Sequence, residues 1–198
     1  MNERIIGLYE ENAGAWDALR GGEPRLERKW LERFAARLPP GAAVLDTGCG
    51  SGQPVARWLI GRGFDVTGID SSPSLIALCR RRFPAQSWHV GDMRRLELGE
   101  RFDGLIAWHS LFHLAPDDQR PMFARFAAHA RPGAILMFTT GWGEGVRIGE
   151  WQGEPLYHAS LDAAEYRRLL AASGFELLEH RLRDPECGEA TVWIARAG

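Results

Sequence analysis

Two carboxylates, a glycine-rich turn and a handful of histidines are the residues of this chain whose types and spacing could do chemistry. The turn lies in residues 43–52, AVLDTGCGSG: a short apolar run (Ala43, Val44, Leu45), then Asp46, then Gly48, Gly50 and Gly52 at alternate positions. Pro54 and an apolar run over residues 55–60 follow, an order that predicts a buried strand, a tight turn and a helix. Glycine tolerates positive φ and has no Cβ, so a ligand can lie against such a backbone. The helix start adds unpaired N–H groups and a positive dipole end. At the head of an α/β sheet this is a nucleotide-type site; the competing reading is a surface turn that binds nothing. A dinucleotide fingerprint needs glycine at its sixth position, which counted from Gly48 is Gln53, and a Walker loop needs a lysine that is absent here.

The second carboxylate closes the next strand. Residues 64–69 read as that strand, and Asp70 ends it, eighteen residues beyond Gly52. A carboxylate there can accept hydrogen bonds from both hydroxyls of a ribose. The other reading is a helix cap, since Ser71-Ser72-Pro73 is a good helix start. The distance from the glycine turn favours the ribose.

What the spacing leaves, Asp-x-Gly-x-Gly-x-Gly with its acid still on the strand, resembles motif I of the class I S-adenosylmethionine-dependent methyltransferases. The resemblance spans about residue 45 to the C-terminus, with motif I and Asp70 its specific parts. It implies S-adenosyl-L-methionine as cofactor, its sulfonium near the turn. Asp46, Gly48, Cys49, Gly50 and Gln53 would then meet the cofactor, with Asp46 favouring the cation and holding the turn through backbone N–H groups. Asp70 and Ser71 would meet the ribose. The family carries an adenine-binding acid after its third strand, and Asp92 and Met93 of Gly91-Asp92-Met93 match that place; alone, Asp92 is an ordinary turn residue. Trp108-His109-Ser110 resembles motif IV, which makes Trp108 and His109 (or Ser110) pocket residues. An N-terminal segment often folds over the cofactor in this class, so Tyr9 and Trp16 are candidate lid residues; otherwise they anchor a helix to the core.

His109 and His113 stand four apart, but no third ligand accompanies them, and no metal is expected. His113 and His158 are candidate bases, needed only if the acceptor must lose a proton. His113 could equally be a hydrogen-bonded core histidine. Residues 141–160, GWGEGVRIGEWQGEPLYHAS, read as an irregular glycine-rich loop. Two tryptophans are costly to leave in water, so Trp142, Trp151, Tyr157 and His158 are candidate substrate-wall residues. Glu144, Glu150, Glu154 and Arg147 could grip a polar or charged acceptor. Loss of Trp151 is expected to harm acceptor activity and spare cofactor binding.

The elements that must position these residues follow from periodicity. Residues 3–20 form a short amphipathic helix with a break near Gly14, and residues 25–38 a second, ended by Pro39-Pro40-Gly41. A helix begins near Ser51; another runs from Ser71-Ser72 to Arg82; residues 87–90 are a third strand and residues 105–108 a fourth. A helix over 117–130, a turn at Arg131-Pro132-Gly133 and a strand over 134–140 come next. A last helix from Leu161 to Ala172 precedes strands 175–182 and 190–195, which lack a crossover and are antiparallel. The expected fold is α/β, a Rossmann-like doubly wound seven-stranded sheet, mostly parallel with an antiparallel C-terminal hairpin strand. The family's strand order is 3-2-1-4-5-7-6. A single domain, 1–198, would carry an N-terminal helical lid (1–38) and a substrate loop (141–160).

The chain has 198 residues and a net charge of −2, from 24 Lys and Arg against 26 Asp and Glu. A basic stripe is missing, which argues against nucleic acid as a partner. Cys49, Cys79 and Cys187 have neither metal-ligand nor disulfide spacing and read as reduced thiols of a cytoplasmic protein. Their placement on separate elements disfavours an arsenic-type acceptor, which wants paired thiols. With no long apolar span, no membrane is expected. The amino-group signature of nucleic-acid methylation is absent, so the acceptor is expected to be a small molecule and the protein a monomer or homodimer. The alternatives are a cofactor-binding module of this fold without transfer activity and a nucleotide-dependent oxidoreductase; the missing glycine at position 53 opposes the latter.

Overall fold

The chain is described by a computed structural model over residues 4–198. In chain order the elements are α1 (Arg4–Glu11), α2 (Ala13–Arg20), α3 (Arg28–Ala35), β1 (Ala43–Thr47), α4 (Val55–Ile60), β2 (Asp65–Asp70), α5 (Pro73–Arg82), β3 (Ser87–Val90) and β4 (Phe102–Ala107). They continue with α6 (Pro116–Gln119), α7 (Met122–His129), β5 (Ala130–Thr140), β6 (Gly145–Trp151), β7 (Glu154–Ser160), α8 (Ala163–Ala172), β8 (Phe175–Asp184) and β9 (Ala190–Ala197). The main sheet runs β3-β2-β1-β4-β5-β9-β8. The first five strands are parallel, and β9 joins β5 and β8 antiparallel. With the separate β6–β7 hairpin set aside, this is the order 3-2-1-4-5-7-6.

Strand alternation sorts the core into two layers. Val44 and Ile106 point to one side, with Trp30, Phe34 and Trp58. Leu45 and Leu105 point to the other, with Phe123, Phe126, Phe138 and Tyr166. Both faces are covered, as a parallel sheet requires. From β1 the chain winds outward through β2 and β3, then returns to place β4 on β1's other side. That reversal leaves a crevice at the carboxyl ends of β1 and β4, the topological switch point where ligands bind in such sheets.

Several boundaries differ from the sequence reading. The N-terminal helix breaks at Asn12, not at Gly14. Residues 51–54 belong to the turn, so α4 begins only at Val55. Pro121 has no N–H to donate and divides the helix expected over 117–130 into α6 and α7. The turn expected at Arg131-Pro132-Gly133 is an exposed start of β5. The largest difference is in residues 141–160, which form a hairpin, not a loop. Gln152 and Gly153, at φ 55 and 76, make its two-residue turn, the left-handed pair that matches strand twist. No helix among the described residues is long and apolar enough to cross a membrane.

Candidate functional site

The turn after β1 is held open by its own backbone. Gly48 and Cys49 both donate their N–H to the Ile69 carbonyl, at 2.8 and 3.1 Å. Gly48 sits at φ 75, and a Cβ there would lie 2.3 Å from the Ser110 Cβ. No side chain fits. Ser110 is itself fixed, its Oγ donating to the Thr47 carbonyl at 2.7 Å.

Asp70, at the end of β2, grips the same turn from the side. Its Oδ2 accepts from the Gly50 N–H and its Oδ1 from the Ser72 N–H, each at 2.9 Å. Burial raises its carboxyl, opposed by these backbone hydrogen bonds. Ser72 caps α5 as expected, accepting from the Leu75 N–H. Asp46 does not hold the turn: the Gly48, Cys49 and Gly50 N–H groups go to Ile69 and Asp70 instead. The Asp46 side chain, only 2% exposed, makes no hydrogen bond among the described residues. Burial, and secondarily the Asp70 charge, push its carboxyl up to about 7, although Arg20 works against them.

These groups line one cleft, and concave sites of this kind are where small molecules bind. Asp46, Gly48, Cys49, Gly50 and Gln53 form its floor, and Asp70 and Ser71 one wall. Asp92 and Met93, beyond the neighbouring β3, line it too, Trp108 and His109 line it from β4 across β1, and Tyr9 and Trp16 of the N-terminal helices complete the lining. The structure thus brings together every residue read as cofactor-binding. Arg20, Arg94 and Ser110 line it as well; no spacing signal marks the two arginines. Burial raises the Asp92 carboxyl, but hydrogen bonds from the Arg94 side chain and backbone outweigh it and hold the group below its usual range.

The two N-terminal helices are docked over the cleft by ion and hydroxyl pairs. Glu10 of α1 accepts from the Ser74 Oγ at 2.6 Å and from the Ser72 hydroxyl. These hydrogen bonds hold its carboxyl low. Asp17 of α2 takes the Arg82 guanidinium at 2.6 Å, which holds its carboxyl near 2.

Tyr9 reaches into the cleft toward His113, its hydroxyl 3.0 Å from Nε2. His113 Nδ1 lies 2.9 Å from the Tyr157 carbonyl, which can only accept, so Nδ1 carries the proton. Burial pulls the imidazole down to about 3, so it is neutral. Nε2 therefore accepts from the Tyr9 hydroxyl. Both ring nitrogens of His113 are engaged within the protein, the hydrogen-bonded-core alternative. Trp151 stacks on Tyr9 at 5.5 Å and meets Trp16 edge-on at 5.6 Å. It packs against both rings and is not among the residues that line the cleft. Tyr157 turns inward to pack against Ile5 and Ala159.

A second cavity opens on the other side of His109. His158, Trp142, Arg147, Arg183 and Glu189 line it with Phe112 and Thr140. His109 thus faces both spaces, from a left-handed backbone (φ 51) whose N–H donates to Thr139 Oγ1 at 2.8 Å. Burial pulls its imidazole down to about 3 and lowers that of His158 as well. Glu144, Glu150 and Glu154 do not line this cavity. Arg183 lies at the far end of the chain, where nothing in the local sequence connects it to the turn.

Cys49 and Cys79 stand on separate elements, yet the fold places their thiols side by side beneath the turn, both directed at the Gly50 carbonyl (3.7 and 3.3 Å). Sequence separation was no guide to their distance. Burial raises the Cys49 thiol well above its usual range. Among the described residues no group of three or more His, Cys, Asp or Glu side chains is placed to hold a metal ion.

Compared with known proteins, residues 19–180 match the family described as "Methyltransferase domain". An O-methyltransferase of Pyrenophora dematioidea is 27% identical over 186 residues, covering 88% of this chain and 68% of the relative. The magnesium-protoporphyrin O-methyltransferase of Rhodobacter capsulatus is 42% identical over 120 residues, 58% of this chain and 52% of the relative. The chain spans about half the length of most of the curated relatives it matches. Among solved structures, the 1,6-didemethyltoxoflavin-N1-methyltransferase of Burkholderia thailandensis superposes with a TM-score of 0.74 at 22% identity. That match covers 99% of this chain and 86% of the other, which was solved with 1,6-didemethyltoxoflavin and S-adenosylhomocysteine bound.

Proposed function

The chain belongs to the class I S-adenosylmethionine-dependent methyltransferases, and from that premise we propose that it binds S-adenosylmethionine in the deep cleft and methylates a small-molecule acceptor held in the second cavity. The observation that carries this reading is the pairing of the left-handed glycine cradle with the partnerless Asp46 carboxylate. A buried carboxylate without a donor calls for a cation, and the cofactor brings one. When bound, it supplies a methyl group on a positively charged sulfur, and transfer forms one bond to the acceptor atom while the sulfur–carbon bond breaks to leave a neutral thioether.

The chain's own residues bind, orient and exclude water. Asp70 keeps lone pairs free for ribose hydroxyls after serving Gly50 and Ser72. Asp92, oriented by Arg94, and the backbone at Met93 face the adenine. Tyr9 and Trp16 act as a lid, with Trp151 as its backing and Glu10 and Asp17 as its fastenings. His109 stands between cofactor and acceptor, where alignment and desolvation contribute most to methyl transfer. If the acceptor must lose a proton, His158 receives it, because its ring faces the second cavity. His113 holds the Tyr9 hydroxyl and is a positioning residue.

The test is to incubate the purified chain with S-adenosylmethionine and a panel of small hydroxyl, amine and carboxylate acceptors, following S-adenosylhomocysteine by mass spectrometry. Acceptor-dependent formation of S-adenosylhomocysteine together with a product heavier by one methyl group is expected. Cofactor binding without turnover on any acceptor would reduce the protein to a binding module.

A further inference from the structure

Arg147, on β6, and Arg183, at the end of β8, come together over one aromatic ring. Each guanidinium carbon lies 4.4 Å from the centroid of the Trp142 ring. Stacking occupies the flat face of a guanidinium and leaves its N–H edge pointing outward. Glu189 accepts from Arg183 Nε at 2.9 Å. The Arg147 side chain has no ion pair or hydrogen bond among the described residues. Arg147 is directly opposite His158 in the β6–β7 register, so guanidinium and imidazole share one face of the hairpin. Glu150 falls on the other face by strand alternation, and Glu154 is paired with Arg4. The charged residues lining the cavity are therefore Arg147, Arg183 and Glu189, a surplus of one positive charge, and its histidines are neutral. Trp142 itself is 48% exposed, so the arginines that pack on it are open to the cavity.

We propose that this cavity takes an acceptor bearing a carboxylate or phosphate group, held by the N–H edges of the Arg147 and Arg183 guanidiniums. Guanidinium edges match both anions with paired, charge-assisted hydrogen bonds. Anchored there, the rest of the acceptor extends toward His158 and His109, on the side where the cavity meets the cofactor cleft. The anion fixes position, and the atom to be methylated lies at the other end of the molecule. This assignment rests on the methyltransferase reading for the word acceptor, but the anion site stands on the arginines alone.

The experiment titrates benzoate, phenyl phosphate and the neutral isostere benzamide into the full chain by calorimetry, with and without S-adenosylhomocysteine. At least one anion is expected to bind tenfold or more tightly than benzamide, and comparison of the two separates carboxylate from phosphate. Arg147→Ala and Arg183→Ala should each weaken that anion by about tenfold. Both should retain the wild-type affinity for S-adenosylhomocysteine, which shows that they fold. Arg147→Lys, which keeps the charge and loses the fork, should fall between. Equal binding of all three compounds, or anion affinity that survives both alanine substitutions, overturns the proposal. Failure of S-adenosylhomocysteine to bind overturns the cofactor reading instead; near-ultraviolet circular dichroism then reports the folding of the variants, and the anion measurements without it still decide the site.

Discussion

Replacing Asp46 by Asn separates what this carboxylate does for the fold from what it does for the cofactor. The side chain is buried, faces the cleft and has no donor, so its carboxyl titrates at about 7, against about 3.9 in an unfolded chain. Between those pH values the folded protein holds a proton that the unfolded chain has lost, so stability falls as pH rises through this window. Once the group is fully ionised above pH 7, the cost is on the order of 4 kcal/mol. Asn has the same shape and no charge. The variant should therefore match the wild type near pH 4 and melt several degrees higher at pH 8. Cofactor binding should respond in the opposite sense. A cation pairs with the ionised carboxylate only, so wild-type affinity for S-adenosylmethionine should rise about tenfold or more between pH 5.5 and 7. In the Asn variant affinity should be weaker and flat over that range. Thermal melts and calorimetry at four pH values provide the assay. If both proteins show the same pH profiles, Asp46 is not a partnerless buried acid, and the electrostatic basis of the cofactor placement fails.

Asp70→Ala should weaken S-adenosylmethionine by at least about 100-fold in calorimetry, because it removes the ribose acceptor and also frees the Gly50 and Ser72 N–H groups. Asp70→Asn, which keeps one acceptor oxygen, should lie between. Gly48→Ala drives a Cβ into the Ser110 Cβ at 2.3 Å on a left-handed backbone, and should cost several kcal/mol in denaturant unfolding; Ser110→Gly in the same chain should recover only part of it. Trp151→Ala, expected from sequence to spare the cofactor, should instead speed cofactor release in stopped-flow fluorescence, since Trp151 backs the Tyr9–Trp16 lid.

The cofactor side of the site was legible because topology concentrates it. Asp46 and Asp70 stand at the carboxyl ends of β1 and β2, and Asp92 and His109 just beyond those of β3 and β4; these four strands are parallel, so every such position arrives at the same edge. A reader who recognises the strands has already gathered the residues. The acceptor side was not legible in this way. Glycines and charges break the period-two pattern in residues 145–160, so the hairpin reads as a loop until Gln152 and Gly153 are seen as its turn. Arg183 approaches Arg147 only because β8 lies at the sheet's edge, a contact between segments without shared periodicity. The Tyr9–His113 hydrogen bond and the adjacency of Cys49 and Cys79 arise likewise from packing between separate elements. The family resemblance implies that Asp46 holds the turn, yet the Ile69 carbonyl and Asp70 satisfy those N–H groups.

The most direct measurement is a calorimetric titration of the wild-type chain and Asp70→Ala with S-adenosylmethionine, S-adenosylhomocysteine and NAD. One-to-one binding of the first two by the wild type, its loss in the variant, and no heat from NAD are the results expected of a cofactor held between the glycine turn and the β2 carboxylate. Absence of binding by the wild type, or affinity undiminished in Asp70→Ala, would contradict that placement.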